Sequence, residues 1–135
     1  MTTESQQIID RYFKAYAAHD LDAVREVLAE DVTWHFPGHH ALSGTKRGVE
    51  EVVAFFDEMG QLQLRPDKYV IGANDGYVLE AQRVFSIDDE FPFETETCVL
   101  WKFADGKITS GTHFFADQDK ADGFFTTRLA AASQR

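Results

Sequence analysis

Hydrophobic residues in the first 30 positions recur at the spacing of α-helices. Residues 4–18 predict one helix, and residues 21–30 predict a second helix that Asp20 can cap. The apolar stripe of the first helix consists of Ile8, Tyr12 and Tyr16, with Ile9 and Phe13 beside them. Each segment therefore has one face to bury against the rest of the protein.

The next segment alternates between apolar and polar residues, as a half-buried strand does. In DVTWHF, residues 31–36, one side carries Val32, Trp34 and Phe36 and the other carries Thr33 and His35. Pro37 and Gly38 end this strand. Helical spacing returns after Gly48, where a third helix is predicted from Val49, Val52, Val53, Phe56 and Met59.

Between residues 64 and 117 the pattern changes to four strand-like stretches separated by turn signals. These signals are Asn74-Asp75-Gly76, Asp88-Asp89-Glu90 and Asp105-Gly106. Short turns between consecutive strands predict an antiparallel meander, and an Asp-Gly pair is a strong hairpin signal. The tail, DKADGFFTTRLAAA, predicts a closing helix. No repeat or linker interrupts this order, so residues 1–135 are expected to form one α+β domain.

The composition fits a folded protein and argues against a nucleic-acid partner. Hydrophobic residues make up 44% of the 135 positions, and the twelve Phe can line a pocket as well as fill a core. The formal net charge of −10 repels phosphate backbones and anionic membranes. We therefore expect neither a nucleic acid nor a membrane as partner.

The cysteine content and the N-terminus predict a cytoplasmic protein. Cys98 is the one cysteine, which excludes an internal disulfide and fits a reducing compartment. It lies in an apolar run, where a buried inert thiol is the expected state and a nucleophile is the alternative. The polar start MTTESQQIID lacks the basic and apolar regions of a signal peptide, and no apolar run approaches the roughly 20 residues of a membrane span.

Three stretches of the chain resemble the NTF2-like superfamily, in particular its SnoaL-like branch. RYFKAYAAHDLDAVREVLAEDVTW is similar to the opening helix pair and first strand, and LSGTKRGVEEVVAFF to the third helix. DGKITSGTHFFADQDKADGFF is similar to the last hairpin strand and tail, so the resemblance covers roughly residues 5–127. It implies a cone of three N-terminal helices packed in a curved, mixed and mostly antiparallel sheet. It also implies a cavity for a small apolar ligand, no cofactor, and a homodimer formed through the open face of the sheet.

The resemblance argues against two reactions of the superfamily. Ketosteroid isomerase uses an aspartate base, with a tyrosine and a protonated aspartate that stabilise the dienolate. The matching positions here are Tyr12 for the tyrosine, Phe36 for the base and Val99 for the protonated acid. Two of the three groups cannot carry a proton, which effectively excludes that mechanism. The Asp-Arg-Asp arrangement of the epoxide hydrolases lacks its second acid, because Val84 and Phe85 follow Arg83.

The resemblance also indicates which side chains face the cavity, provided that the strand registers match. In the last strand these positions are Gly111, His113, Phe115 and Asp117. In the two preceding strands they are Glu80, Gln82 and Val84, and then Thr97, Val99 and Trp101.

His113 and Glu80 are the candidate catalytic residues among these positions. A histidine with an ordinary pKa of about 6.5 can give or take a proton at neutral pH. A buried glutamate has a raised pKa that suits acid–base chemistry. The alternative for His113 is a hydrogen bond to a neighbouring strand or tyrosine, and the alternative for Glu80 is an outward, solvated position.

Further residues are expected to orient or enclose the ligand. Tyr12, Tyr16, Gln82 and Asp117 are candidates for orienting it, although the tyrosines can instead satisfy their hydroxyl groups within the core. The apolar walls are predicted from Trp34, Phe36, Phe56, Val99, Trp101 and Phe115.

The histidines of VTWHFPGHHALSG, residues 32–44, do not predict a metal site. Pro37 lies between His35 and His39 and prevents the continuous helix that would align them. Metal binding needs at least three converging ligands, and the sequence offers no convincing third. His35 is expected to form a hydrogen bond to the third helix or a loop, with a ligand-binding position as the alternative. His39 and His40 are expected to rim the cavity or to be solvated.

Two functions of different classes follow from these observations. The first is a cofactor-independent isomerase, cyclase or dehydratase that moves protons on an apolar carbonyl substrate, with His113 as the principal acid or base. The second is a non-catalytic ligand-binding or accessory dimerisation domain, which the missing isomerase acids favour.

Overall fold

The computed structural model describes residues 3–133 of the chain, which contain four helices and six strands. In chain order they are α1 Glu4–Ala17, α2 Leu21–Val27, β1 Leu28–Phe36, β2 Gly44–Arg47, α3 Val49–Gly60, β3 Leu64–Ala73, β4 Tyr77–Ser86, β5 Glu94–Ala104, β6 Lys107–Phe115 and α4 Gln118–Ser133. The strands form one sheet in the order β2-β1-β6-β5-β4-β3. β1 and β6 pair in parallel, and the other neighbours pair antiparallel. The predicted α+β architecture with a mixed, mostly antiparallel sheet is confirmed.

The first two helices begin where the sequence predicts. Thr3 Oγ1 accepts a hydrogen bond from the Gln6 N–H at 3.2 Å and caps α1, and Asp20 Oδ1 accepts one from the Ala23 N–H at 3.1 Å and caps α2. The second helix ends at Val27, three residues earlier than predicted. Leu28 is already extended and pairs with β6, so strand pairing overrides helix propensity there.

The helices are not grouped at the N-terminus as expected. The predicted strand β1 and an unpredicted short strand, β2, lie between α2 and α3, and the predicted closing helix is present as α4. The hydrophobic pattern does not indicate β2, because its four residues are polar and mostly exposed. This strand forms through its pairing with β1, and a strand without a buried face leaves no periodic signal in the sequence.

The predicted meander is present as β3, β4, β5 and β6. Asp105 and Gly106 both have positive φ, 52° and 76°, as the central residues of a type I′ hairpin turn require. At the β3–β4 turn, Asn74 Oδ1 accepts hydrogen bonds from the N–H groups of Gly76 and Tyr77 at 3.1 and 3.0 Å. The predicted turn signals therefore act through local backbone geometry and side-chain capping.

The face of the sheet that packs against the helices, here called the inner face, carries the core. Trp34 and Phe36 of β1 are buried on it, and α1 and α3 contact β4 and β1 respectively. Gly111 on β6 makes room for Trp34, because a Cβ atom at Gly111 would lie 2.2 Å from the indole ring. No helix within residues 3–133 combines the length and the apolar character that crossing a bilayer requires.

Candidate active site

A cavity of about 170 Å³ lies between the inner face of the sheet and the helices. Most of its wall is aromatic. The predicted site residues that line it are His113, Glu80, Tyr12, Tyr16, Trp34, Phe36, Phe56, Gln82, Val99, Trp101 and Phe115. The fold thus brings together predicted site residues from α1, α3, β1 and the last three strands of the meander.

Strand pairing arranges the polar side chains in rows across the cavity floor. Glu80 on β4 pairs with Val99 on β5, which in turn pairs with His113 on β6. Two strand spacings, about 10 Å, therefore separate the backbones of Glu80 and His113. At this separation the two side chains do not form a direct hydrogen-bonded pair.

The Glu80 carboxyl group is buried, with 3% of the residue exposed. Oε1 accepts a hydrogen bond from Trp101 Nε1 at 3.2 Å. Oε2 lies 4.0 Å from Lys68 Nζ and has no hydrogen-bond partner among the described residues. Burial raises the pKa of this carboxyl group, and Lys68 and the Trp101 hydrogen bond offset only part of that effect. Glu80 therefore holds a proton more readily than an exposed glutamate.

Lys68 brings a positive charge to the same side of the cavity. It pairs with Gln82, immediately before a bulge in β3, and its side chain is 32% exposed. Nζ lies 3.2 Å from the centre of the Phe13 ring, which is a cation–π contact. Burial lowers the pKa of the ammonium group, and the charges of Glu80 and Asp10 oppose this. The sequence pattern does not identify this lysine as a site residue.

His113 is half-buried among aromatic rings. The ring centres of Trp34 and Phe36 lie 5.6 and 4.9 Å from that of the imidazole, and no hydrogen bond to its nitrogens is found among the described residues. Burial, with a smaller contribution from His35, lowers the pKa of His113 to about 3. The imidazole is therefore neutral at physiological pH, with one N–H donor and one acceptor nitrogen, and it is a weak base.

Tyr12 and Tyr16 lie one turn apart on α1 with their rings stacked at 5.8 Å. Burial raises the pKa of both phenols, and for Tyr12 the neighbouring Tyr16 and Glu80 raise it further. The two hydroxyl groups therefore stay protonated at neutral pH and can donate hydrogen bonds to an acceptor in the cavity.

Two residues predicted to bind the ligand lie outside the cavity. His35 is exposed on the opposite side of β1 from Trp34, and its Nδ1 lies 3.0 Å from Thr45 Oγ1 on β2. Strand alternation turns His35 away from the inner face, so a pocket position for it is wrong. Asp117 is exposed, and its Oδ1 accepts a hydrogen bond from the Lys120 N–H at 3.0 Å at the start of α4. The alternation of β6 stops before Asp117, which is why its predicted position is also wrong.

The loop after β1 is held to α4 by Asp122. Its Oδ1 accepts hydrogen bonds from the His39 backbone N–H at 3.2 Å and from Gln118 Nε2 at 2.9 Å. The His40 side chain is buried, which lowers its pKa despite the nearby Asp122, and its Nδ1 accepts a hydrogen bond from the Leu42 N–H at 3.2 Å. His40 is thus a packing residue and not a solvated one. No three His, Cys, Asp or Glu side chains in residues 3–133 are arranged to hold a metal ion.

The cavity wall also contains residues that the sequence analysis does not assign to the site. They are Phe13, Phe55, Met59, Leu64, Arg65, Pro66, Lys68 and Phe125. Helical period identifies the apolar faces of α1 and α3, but it does not separate core positions from cavity positions. The bulge in β3 interrupts the alternation that would otherwise have indicated Lys68.

Residues 9–111 match the SnoaL-like domain family. The chain belongs to the SnoaL-like family. An uncharacterised protein of Mycobacterium tuberculosis is 29% identical to this SnoaL-like protein over 123 residues, which cover 87% of this chain and 93% of the relative.

Solved structures of other proteins share the fold of this SnoaL-like protein. An NTF2-like protein from Burkholderia xenovorans superposes with a TM-score of 0.79 at 22% identity, covering 93% of this chain and 98% of that one. TerC, co-crystallised with polyporic acid, superposes with a TM-score of 0.76 at 16% identity, covering 91% and 98%. These similarities establish the shared fold. The function has to be argued from the cavity itself.

Proposed function

We propose that this SnoaL-like protein binds a small, mostly apolar carbonyl compound and moves a proton on it without a cofactor, as an isomerase, cyclase or dehydratase does. The observation that carries the proposal is the Glu80 carboxyl group. It is buried in an aromatic cavity, its pKa is raised by burial, and its Oε2 has no hydrogen-bond partner among the described residues. A carboxyl group in these surroundings is a typical general acid or base.

The cavity wall supports an apolar ligand with a few oxygen atoms. Rings such as Trp34, Phe36 and Phe56 offer flat surfaces against which an aromatic or alicyclic skeleton can pack. The polar groups are few and lie at separate points of the cavity wall. They can therefore form hydrogen bonds to one or two oxygen atoms of a ligand and orient it. The co-crystal of the structurally similar TerC with polyporic acid supports a small-molecule ligand for this fold.

Glu80 and His113 take different roles in the proposed reaction. The Glu80 carboxylate removes a proton from the carbon next to the ligand carbonyl, and the electron pair moves onto the oxygen as an enolate. His113 and Tyr12 are neutral donors that can hydrogen-bond to this oxygen. Glu80 then returns the proton to another carbon. We assign the proton to Glu80 because the low pKa of His113 makes it a poor base.

Hydrogen exchange on a simple ketone tests the proposed proton transfer. The probe is 2-tetralone in D2O, whose deuteration next to the carbonyl is followed by NMR. We expect the wild type to accelerate exchange and Glu80→Gln to reduce the acceleration by about a hundredfold or more, because general acid–base groups contribute that much. Glu30→Gln, which changes an exposed glutamate on β1, should leave the rate unchanged. Equal rates for the wild type and Glu80→Gln would refute the assignment.

Non-catalytic ligand binding is the second candidate function. It is favoured by Phe36 and Val99, two apolar residues that line the cavity where ketosteroid isomerase carries its acids. In that case 2-tetralone raises the unfolding temperature of the wild type, since a ligand that binds only the folded state stabilises it, but exchange stays at the background rate.

We also propose that the outer face of the sheet, opposite the inner face, pairs with a second copy of the chain. Its exposed apolar residues include Val70, Leu79 and Phe114, with 60%, 49% and 52% exposed. Apolar patches of this kind are typical of association sites. Phe114→Glu should convert a dimer into a monomer in light scattering, whereas Thr127→Glu, which adds the same charge on α4, should not. A monomeric wild type would refute the proposal.

The free thiol of Cys98 also lies on this outer face, in register with Phe114. A free thiol is stable in a reducing compartment, and we therefore propose a cytoplasmic location.

A further inference from the structure

We propose that the Lys68 amine is a nucleophile that forms an imine with an aldehyde or ketone held in the cavity. The inference rests on the proposed function, because the cavity must admit carbonyl compounds. It adds a covalent reaction to the proton transfer assigned to Glu80.

The backbone of β3 positions Lys68 for this role. Lys68 pairs with Gln82 and lines the cavity. The bulge that follows Lys68 interrupts the alternation of side chains, so that two consecutive residues, Tyr69 and Val70, are exposed. Lys68 is therefore the last residue on the cavity side of β3 before the bulge, and its amine lies against the Phe13 ring at the cavity wall.

Burial favours a reactive Lys68 amine, and the charged groups around it oppose this effect only in part. Glu80 Oε2 on β4 lies 4.0 Å from Lys68 Nζ. Asp10 on α1 is a second charged side chain that acts on Lys68, and Arg65 on β3 lines the same cavity wall. Burial lowers the pKa of Lys68 and raises the pKa of Glu80. Both shifts favour a neutral amine beside a neutral carboxylic acid, which are the two forms that imine formation uses.

The reaction balances with these two residues and the carbonyl compound alone. The Nζ lone pair attacks the carbonyl carbon, and the Glu80 acid protonates the resulting alkoxide. The Glu80 carboxylate then takes a proton from the nitrogen, which gives a neutral carbinolamine. Glu80 returns this proton to the hydroxyl group, which leaves as water while the nitrogen lone pair forms the C=N bond. The product is a protonated imine beside the Glu80 carboxylate, and no oxidant or reductant is consumed.

Lys46 provides an internal comparison within the same molecule. Burial lowers the pKa of its amine as well, but Nζ donates hydrogen bonds to the carbonyl oxygens of Leu42 and Gly44. Lys46 does not line the cavity. A lowered pKa without a cavity should therefore not give rapid imine formation at this position.

Reductive trapping tests the inference. The protein is incubated at neutral pH with trans-cinnamaldehyde and sodium cyanoborohydride, which reduces an imine to a stable secondary amine, and peptide mass mapping locates the adduct. We expect Lys68 to be alkylated at least about tenfold faster than any other lysine, because the aldehyde is held next to it. Lys68→Arg should lose this fast adduct, and Glu80→Gln should slow it while keeping its position.

Two results would overturn the inference: labelling of Lys68 no faster than that of Lys46, or a fast adduct that persists in Lys68→Arg. Cinnamyl alcohol, which has the same skeleton without the carbonyl group, separates this failure from that of the proposed function. A thermal shift with the alcohol but no Lys68 adduct refutes imine formation and leaves ligand binding intact. Neither shift nor adduct refutes the imine and counts against the cavity as a site for this class of compound.

Discussion

Glu80 should make the stability of this protein fall as pH rises, the reverse of the effect of most acidic residues. Burial raises the pKa of Glu80 in the folded state above its ordinary value of 4.5, whereas the unfolded chain hydrates the group. Between the two pKa values the folded state binds more protons than the unfolded state. The stabilisation is therefore complete below the unfolded pKa and is lost as pH rises through the folded pKa. Glu80→Gln removes this titration, so the variant should gain stability relative to the wild type as pH rises.

The size of the effect follows from one proton and the length of the chain. A difference of one bound proton changes the free energy of unfolding by at most about 1.4 kcal/mol per pH unit. With an unfolding entropy of about 2.1 cal/mol/K for each of the 135 residues, 1 kcal/mol corresponds to about 3.5 °C in Tm. The difference between variant and wild type should thus widen by up to about 5 °C per pH unit within the window.

Calorimetric unfolding from about pH 4 to about pH 8 at constant ionic strength measures this difference, because titrating groups away from Glu80 contribute equally in the two proteins. Glu30→Gln, at an exposed position on β1, is the matched control and should follow the wild type at every pH. A difference between Glu80→Gln and wild type that stays constant, or that narrows as pH rises, would refute the reasoning. It would mean that Lys68 and the Trp101 hydrogen bond stabilise the carboxylate by at least as much as burial destabilises it.

Three further changes test the packing and electrostatics around the cavity. Gly111→Ala should lower the free energy of unfolding by about 1–3 kcal/mol, because its Cβ would lie 2.2 Å from Trp34. The control Gly72→Ala meets no atom within 4 Å and should change the free energy of unfolding little. Equal Tm values for the two variants would contradict this prediction. NMR should find the His113 imidazole neutral from about pH 5 to 8, and a titration midpoint near 6.5 would contradict the burial argument. Asp122→Ala removes the hydrogen bonds that Asp122 accepts from the loop after β1 and from Gln118 of α4. Chemical denaturation should show that this variant is less stable than the wild type by about 1–3 kcal/mol. An unchanged denaturation midpoint would contradict the anchoring role.

The family resemblance, carried along each strand by the alternation of side chains, predicted those parts of the cavity that lie on regular strands. Glu80, Gln82 and Val99 line it because β4 and β5 pair without a bulge across this stretch, so alternation with period two holds from one residue to the next. The same rule places His35 away from the inner face. It fails for Asp117, because the strand ends before that residue.

Lys68 and Phe125 show where sequence patterns stop being informative. Lys68 belongs to a polar stretch with a proline and a bulge, in which no period is visible. Phe125 reaches the cavity from α4, which has no well-defined apolar stripe in its sequence. Their positions depend on how distant elements dock, and single-segment patterns do not contain that information.

By itself, the sequence determined the helices of the first half, the meander of the second half and the side of each regular strand that is buried. These are consequences of local periodicity and turn chemistry, which act over a few residues. Tertiary structure alone decided that the Lys68 amine stands 4.0 Å from the Glu80 carboxyl group and that the surroundings of His113 lower its pKa to about 3. Proton affinity depends on the charges and the water around a group, and chain segments far apart in sequence supply both.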